Sequence, residues 1–209
     1  SSWRRGTALD STTQWTSLAF YAMPTQWIGL LVLFYVAAAI GLPAAGIQSA
    51  SLGVLGEPSL WDLLVDRTAH LILPALTLGL GSYGQYAIIM RSAMLDTLGE
   101  DYILTARAKG LRDWEILRYH AFGNALLPMV TMVALSAGSI VAGAIVVEDV
   151  FSYPGIGFAA VDAIGKRDYP VLQGIFLLLT VAVVVANLVA DLVYVRIDPR
   201  IRSGRVAVG

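Results

Sequence analysis

Residues 91–128 read RSAMLDTLGEDYILTARAKGLRDWEILRYHAFGNALLP, and this stretch lies between two long apolar runs. It holds five of the fourteen lysines and arginines of the chain. These five are Arg91, Arg107, Lys109, Arg112 and Arg118. Apolar residues recur within it at helical spacing. A basic segment with helical patterning between two apolar runs predicts a structured docking surface rather than a slack linker.

The composition of the whole chain indicates a membrane protein. Its 209 residues are 57% hydrophobic and 14% charged, with a mean hydropathy of +0.70, whereas soluble domains are about a quarter charged. The net charge of −1 argues against a nucleic-acid partner, which would require a basic excess. The chain has no cysteine, so a disulfide framework and a thiolate metal site are excluded.

Four apolar runs are long enough to cross a bilayer, which takes about 20 helical residues. The predicted spans are 15–41, 71–90, 125–147 and 171–195. Pro24 predicts a kink in the first span or an interfacial position for its beginning. The fold class predicted is all-α, a polytopic membrane helix bundle in which residues 1–209 form a single transmembrane domain.

Two connecting segments also have predictable structure. Residues 61–66 alternate apolar and acidic side chains, which predicts a short interfacial helix before the second span. Residues 148–170 combine glycine and proline with several aromatic residues, which predicts a compact or re-entrant loop.

The basic residues predict the orientation of the chain. With four spans, the two ends and the loop at 91–124 lie on one side and carry eleven basic residues, against three on the other side. The first group adds Arg4, Arg5, Arg196, Arg200, Arg202 and Arg205 to the five of the loop, and the second is Arg67, Lys166 and Arg167. The positive-inside rule therefore predicts that both termini and the loop at 91–124 are cytoplasmic.

The sequence contains no catalytic or nucleotide-binding motif in a suitable context. Gly79 to Gly84 fit the dinucleotide-binding pattern GxGxxG, but they fall inside an apolar run with no strand before them. The chain has neither a GxxxxGK[ST] phosphate loop nor a GxSxG nucleophile elbow. The only histidines, His70 and His120, fall on opposite sides of the predicted membrane, so no metal site is expected.

Polar and small residues in the spans leave two interpretations open. Ser136 and Ser139 belong to a run of small residues in the third span, which suits close helix packing in lipid or the wall of a translocation path. Asn187 and Asp191 share a helix face, which suits hydrogen bonding between helices or a polar path. Glu148 and Asp149, at the start of the outer loop, are interpreted as solvated charges or as a contact for a delivery protein or a cationic substrate.

The loop at 91–124 is predicted to contain two short helices. The first begins near Asp101 and ends before Gly110, because glycine just after a helix with Lys109 in its last turn is a stop signal. The second has Asp113 as its N-cap, with Trp114, Leu117 and Phe122 on its apolar side. The alternative is an amphipathic helix on anionic lipid, but the small side chains of the first helix favour a protein groove.

These residues resemble a known family. DYILTARAKGLRDWEILRYHAFGNALLP at 101–128 resembles the cytoplasmic coupling loop of permeases in ATP-binding-cassette importers, in the branch that carries peptides and nickel. VVEDVFSYPGIGFAAVDAIGKRDYPVLQG at 146–174 and ADLVYVRIDPRIR at 190–202 resemble the B-type subunit of that branch. The general family begins the loop with Glu-Ala-Ala, where this chain has Leu104, Thr105 and Ala106, a departure typical of the peptide branch. Six spans are usual in that subunit, so the resemblance implies that this chain lacks its first spans.

The resemblance implies a type I importer fold and a function in peptide transport across a prokaryotic plasma membrane. It implies a second permease subunit, two ATPase subunits that bind ATP and Mg, an extracytoplasmic substrate-binding protein and surrounding lipid, with no cofactor bound by this chain. The residues it implies for ATPase coupling are Asp101, Tyr102, Thr105, Ala106, Arg107, Lys109, Gly110 and Leu111. Ser136, Ser139 and Asn187 are pathway or gate candidates.

Two other functions are alternatives to an importer permease. A channel or secondary transporter would require a selectivity filter or coupled intramembrane charges, and Asp191 is the one clear intramembrane acid. A membrane-embedded hydrolase would require a nucleophile or metal motif, and the sequence has neither.

Overall fold

The protein's structure, a computed structural model, describes residues 7–52 and 57–197. Within these ranges, the description omits the side chains of 127, 131, 134, 135, 137–143, 191 and 193–197. The described backbone contains helices and no strand. The predicted all-α fold is therefore confirmed.

The helices follow one another with short connections. In chain order they are α1 (Ala8–Ala22), α2 (Thr25–Leu31), α3 (Ala37–Ile40), α4 (Leu60–Leu98), α5 (Asp101–Ala108), α6 (Asp113–Glu115), α7 (Phe122–Val150), α8 (Ile156–Lys166) and α9 (Tyr169–Ile197). Two π-helical stretches continue the chain without a break. Val32–Val36 joins α2 to α3, and Ile116–Ala121 joins α6 to α7.

Several helices are suited to a membrane by length and composition. Among the described residues, α4 and the Tyr169–Ala190 part of α9 could each cross a bilayer, and α1 with the helix after it could form a broken third span. The break falls at Pro24, which has no N–H to continue a helix and precedes the first residue of α2. The predicted span 125–147 lies within α7, where many side chains are outside the description, so its membrane crossing stays a prediction.

The interfacial helix predicted at 61–66 does not exist as a separate element. These residues form the first turns of α4, which has 39 residues. A helix of that length is about 58 Å long, roughly twice the thickness of the hydrocarbon core. Pro74 lies inside it, where membrane helices tolerate proline. Gly79 to Gly84 also lie in α4, so the GxGxxG pattern has no strand-to-helix turn.

The chain divides into two compact units. The first contains segments 1–21, 83–138 and 184–209, and the second contains 22–82 and 139–183. The single domain predicted for residues 1–209 stays a prediction.

In the first unit, α1 lies directly against α4. A Cβ atom at Gly84 would overlap the carbonyl oxygen of Ser17 and the backbone of Tyr21, so only glycine fits at this crossing. An ion pair joins the same two helices, because Arg91 donates from Nη2 to Asp10 Oδ2 at 3.0 Å and from Nε to Oδ1 at 3.2 Å. Asp10 is only 4% exposed, which makes this a buried contact that orients the end of α4.

In the second unit, buried Leu73, Ile28 and Phe151 form part of the apolar interior. Ser49 ties the connection after α3 to α4, since its backbone N–H donates to Asp66 Oδ2 at 2.9 Å and its hydroxyl donates to Oδ1. Asp66 thus holds the loop that contains Ser49 against α4.

Candidate functional site: the loop at 91–124

The loop begins where α4 stops and α5 starts. Gly99 and Glu100 donate backbone hydrogen bonds to Asp96 and Thr97, which close the last turn of α4. Glu100 then adopts an extended conformation as the N-cap of α5. Asp101 lies in the first turn of α5, where a negative charge is favoured by the helix dipole.

The end of α5 explains the glycine at position 110. Gly110 has φ +77°, its N–H donates to the carbonyl of Arg107 at 2.9 Å, and the N–H of Leu111 donates to the carbonyl of Ala106 at 3.4 Å. These two bonds form a Schellman motif, in which a left-handed residue satisfies the last carbonyls of a helix. The predicted stop signal at Lys109 and Gly110 is confirmed.

The two faces of α5 differ sharply. Ile103 is fully buried and Ala106 is 5% exposed, and both belong to one apolar cluster. The cluster also contains Ala93 and Met94 of α4, Ile116 and Ala121 of the π-helical stretch, and Ala125 of α7. The remaining residues of α5 are exposed, so this helix presents one outer face while its inner face joins it to α4 and α7.

Ala106, one of the residues that the resemblance implies for ATPase coupling, is buried rather than exposed, and its coupling role stays a prediction. Its methyl group packs inside the unit, because α5 turns positions 103 and 106 inward together. We define the outer face of α5 as the exposed residues Asp101, Tyr102, Leu104, Thr105, Arg107, Ala108 and Lys109. Leu104, which is 59% exposed, is the member that sequence reasoning missed, since an apolar residue next to Ile103 gives no sign of facing outward.

The second helix of the loop was predicted with two errors. Its N-cap is Arg112 rather than Asp113, and the N–H of Arg112 donates to Glu115 Oε2 at 2.8 Å. Moreover, it is not a separate short helix, because the π-helical stretch connects α6 to α7 without interruption. The two-helix knob predicted from sequence is therefore one short helix, α5, packed beside the beginning of a much longer helical run.

The π-helical stretch changes which residues face inward. Ile116 and Ala121 are both fully buried, and a spacing of five places residues on one side of a π turn but not of an α turn. Trp114 and Phe122, predicted as the apolar inner side, are instead 66% and 48% exposed.

Polar contacts hold α5 against this run. Asn124 donates from Nδ2 to the Tyr102 hydroxyl and to the carbonyl of His120, both at 2.9 Å. The Tyr102 hydroxyl donates to the same carbonyl at 3.4 Å. Tyr102 is thus a fastening residue of α5, although part of its ring remains accessible.

A groove opens beside α6. We call it the aromatic groove, and it is lined by Met94, Trp114, Leu117, Arg118 and Phe122, with a volume of about 480 Å³. It lies apart from the coupling residues predicted from sequence, none of which lines it.

The structure describes the side chains of two of the three predicted pathway residues. Ser136 is half-buried in α7 and Asn187 is exposed on α9. The side chains of Ser139 and Asp191 lie outside the description, as do Arg200 and the rest of the tail. A pathway role for these residues stays a prediction.

Glu148 has a role that neither interpretation of the sequence foresaw. Its Oε2 accepts hydrogen bonds from the N–H groups of Gly157 and Phe158 at 2.7 and 3.1 Å. These are the first amides of α8, so the carboxylate caps that helix. The stretch 148–170 contains the helix α8 and is compact, as its composition predicted.

Comparison with known proteins identifies the family. Residues 2–203 match the family described as the inner membrane component of binding-protein-dependent transport systems. The chain belongs to this family. Membership agrees with the predicted polytopic permease fold and with a membrane location, and the α5 segment falls within the matched region.

Individual relatives point to the peptide branch, as the resemblance predicted. The chain is 38% identical over 216 residues to the dipeptide transport system permease protein DppB of Escherichia coli K12, covering 95% of this chain and 63% of that protein. It is 41% identical over 210 residues to DppB of Haemophilus influenzae, covering 93% and 61%. It is 38% identical over 194 residues to the oligopeptide transport system permease protein AppB of Bacillus subtilis, covering 92% and 59%. The chain therefore spans about three fifths of the length of these relatives.

Proposed function

We propose that the chain is the permease subunit of an ATP-binding-cassette importer that moves di- or oligopeptides inward across a plasma membrane. Family membership and the names of the relatives support this proposal. The observation that carries it is the outer face of α5, which offers an exposed helix surface on a segment whose inner face is fastened to two long helices.

In this proposal, one of two ATPase subunits docks on the outer face of α5 from the cytoplasm. The positive-inside distribution supports that orientation. A second permease subunit completes the pathway, and an extracytoplasmic protein delivers the peptide. This chain contributes no catalytic group, and ATP and Mg are bound by the ATPase subunits.

The packing of α5 suggests how movement is transmitted. Ile103 and Ala106 share one cluster with Met94 of α4 and Ala125 of α7. Close-packed interiors transmit displacement because they have little free volume. A displacement of α5 by the ATPases is therefore expected to shift the adjoining ends of α4 and α7, which continue toward the membrane.

Gly110 provides the test of this function. No atom lies within 4 Å of a Cβ placed there, so a substitution acts through the positive φ rather than through a clash. A β-branched residue is costly in that conformation, whereas Asn tolerates it. We expect Gly110→Val to lower uptake of radiolabelled dialanine about tenfold or more and Gly110→Asn to lower it about twofold or less, since left-handed geometry costs most residues about 1–2 kcal/mol.

Gly123→Ala is the matched control, because Gly123 is helical and also has open space around it. Membrane insertion and co-purification of the ATPases are measured for every variant. Normal uptake by Gly110→Val with the ATPases still bound would contradict the proposal.

A further inference from the structure

The aromatic groove is an exposed surface that ATPase docking on α5 does not use. Three of its lining residues, Trp114, Leu117 and Phe122, come from the run that leads into α7, and Met94 of α4 closes one side. Trp114 and Phe122 keep much of their surface exposed although they are large and apolar. Burying such surface is favourable, so an occupant with an apolar part is favoured.

The single charged residue of the groove defines the other part of the occupant. Arg118 lines the groove together with the apolar residues. Its guanidinium carbon lies 5.6 Å from the centroid of the Tyr119 ring, a cation–π contact that restrains the side chain. An apolar surface lined in part by one restrained arginine matches an amphiphile with an anionic head.

The position of the groove along the chain selects a membrane lipid. Phe122 lies three residues before the predicted span 125–147. Exposed Trp114 and Tyr119 are of the residue types that mark the interface between membrane and water. The side predicted as cytoplasmic faces the leaflet in which anionic lipids attract basic segments.

We propose that the aromatic groove binds one anionic phospholipid. An acyl chain lies against Trp114, Leu117 and Phe122, and the phosphate accepts charge-assisted hydrogen bonds from the guanidinium of Arg118. The two parts of the loop therefore have different partners. A protein binds the outer face of α5, and a lipid binds the groove beside α6. The inference depends on the membrane placement of the run but not on ATPase docking.

Competitive lipid retention tests this assignment. The full chain, purified in mild detergent, is mixed with equal amounts of phosphatidylglycerol and phosphatidylcholine, and the lipids retained are counted by native mass spectrometry. We expect preferential retention of phosphatidylglycerol. Arg118→Gln should lower that retention about fivefold, the effect of one cation at an anionic surface. It should lower phosphatidylcholine retention less, because the choline cation offsets the charge of the phosphate. Arg118→Lys should retain most of the preference.

Lys109→Gln is the matched control, since it removes one charge from the same loop outside the groove. It should leave phosphatidylglycerol retention nearly unchanged, because Lys109 does not line the groove. Phe122→Ser should lower retention of both lipids, because it removes apolar surface without changing charge. Circular dichroism checks that each variant keeps its helical content.

Two results would overturn the proposal. One is equal phosphatidylglycerol retention by the original chain and by Arg118→Gln, which would mean that the lipid is only part of the general shell around the protein. The other is unchanged lipid retention by Arg118→Gln and Phe122→Ser together with loss of ATPase co-purification, which would make the groove a protein-binding surface. Neither result depends on the peptide uptake measured for the Gly110 variants. Failure of the lipid proposal can therefore be distinguished from failure of the proposed transport function.

Discussion

At the scale of single residues, the structure attaches particular roles to two contacts between α1 and α4. Arg91 is one of the five basic residues of the loop, but it faces Asp10 rather than a partner protein. Gly84 permits the backbones to approach, as small residues do in membrane helix pairs. Neither contact could be predicted from the sequence, because each joins residues that are more than sixty positions apart in the chain.

Removing the charge of Asp10 tests the first contact. Asp10→Asn should lower the free energy of unfolding in mixed micelles by about 2–3 kcal/mol, somewhat less than for a fully buried pair because Arg91 retains some solvent contact. Lys166→Gln, which breaks the exposed pair with Asp162, should cost about 0–1 kcal/mol. Equal effects of the two substitutions would contradict a buried structural role for Asp10.

The close approach at Gly84 leads to a second prediction. Gly84→Ala should destabilise the chain by about 1–3 kcal/mol, because the added methyl group overlaps the backbone of α1. Gly79→Ala in the same helix has open space and should be neutral or stabilising by up to about 1 kcal/mol. Thermal unfolding of the two variants in the same detergent distinguishes them, and the crossing would be in doubt if Gly79→Ala were the more damaging.

At the scale of elements, sequence patterns predicted a structural feature when the contacts that produce it lie within a few residues. The end of α5 at Gly110 follows from chemistry within five residues. The cap of α8 does not, because Glu148 lies nine and ten residues before the amides that donate to it. The sequence did not predict which side chains face inward after Arg112. Ile116 and Ala121 share a face only because the chain forms a π turn there. A 3.6-residue period places Trp114 and Phe122 on that face instead. Likewise, the sequence did not predict that residues 61–66 belong to the long helix α4 rather than to a separate short helix.

The cap of α8 gives a prediction at this scale. Glu148→Ala should speed hydrogen exchange at the amides of Gly157 and Phe158 by about 10- to 100-fold, as expected for losing charge-assisted bonds. Glu148→Gln should have a smaller effect, since its amide oxygen can still accept. Asp149→Ala is the control at the neighbouring exposed position and should leave exchange unchanged. Similar exchange in all three variants would exclude the cap.

At the scale of the whole molecule, the charge distribution predicts an orientation across the membrane. The chain lacks cysteine, so single cysteines report position without background. Lys109→Cys should react with a membrane-impermeant maleimide only after permeabilisation, whereas Lys166→Cys should react in intact spheroplasts. The reverse pattern would invert the orientation and remove the cytoplasmic location of α5.

The central claim is that the outer face of α5 is where an ATPase subunit docks. Cysteine-scanning cross-linking in native membranes tests it most directly, with partners identified by their peptides and by a GxxxxGK[ST] phosphate loop. We expect cross-links from Leu104→Cys, Thr105→Cys and Ala108→Cys, and none from the buried positions of Ile103→Cys and Ala106→Cys. Cross-links from the buried positions, or no ATPase adduct from any exposed one, would contradict it.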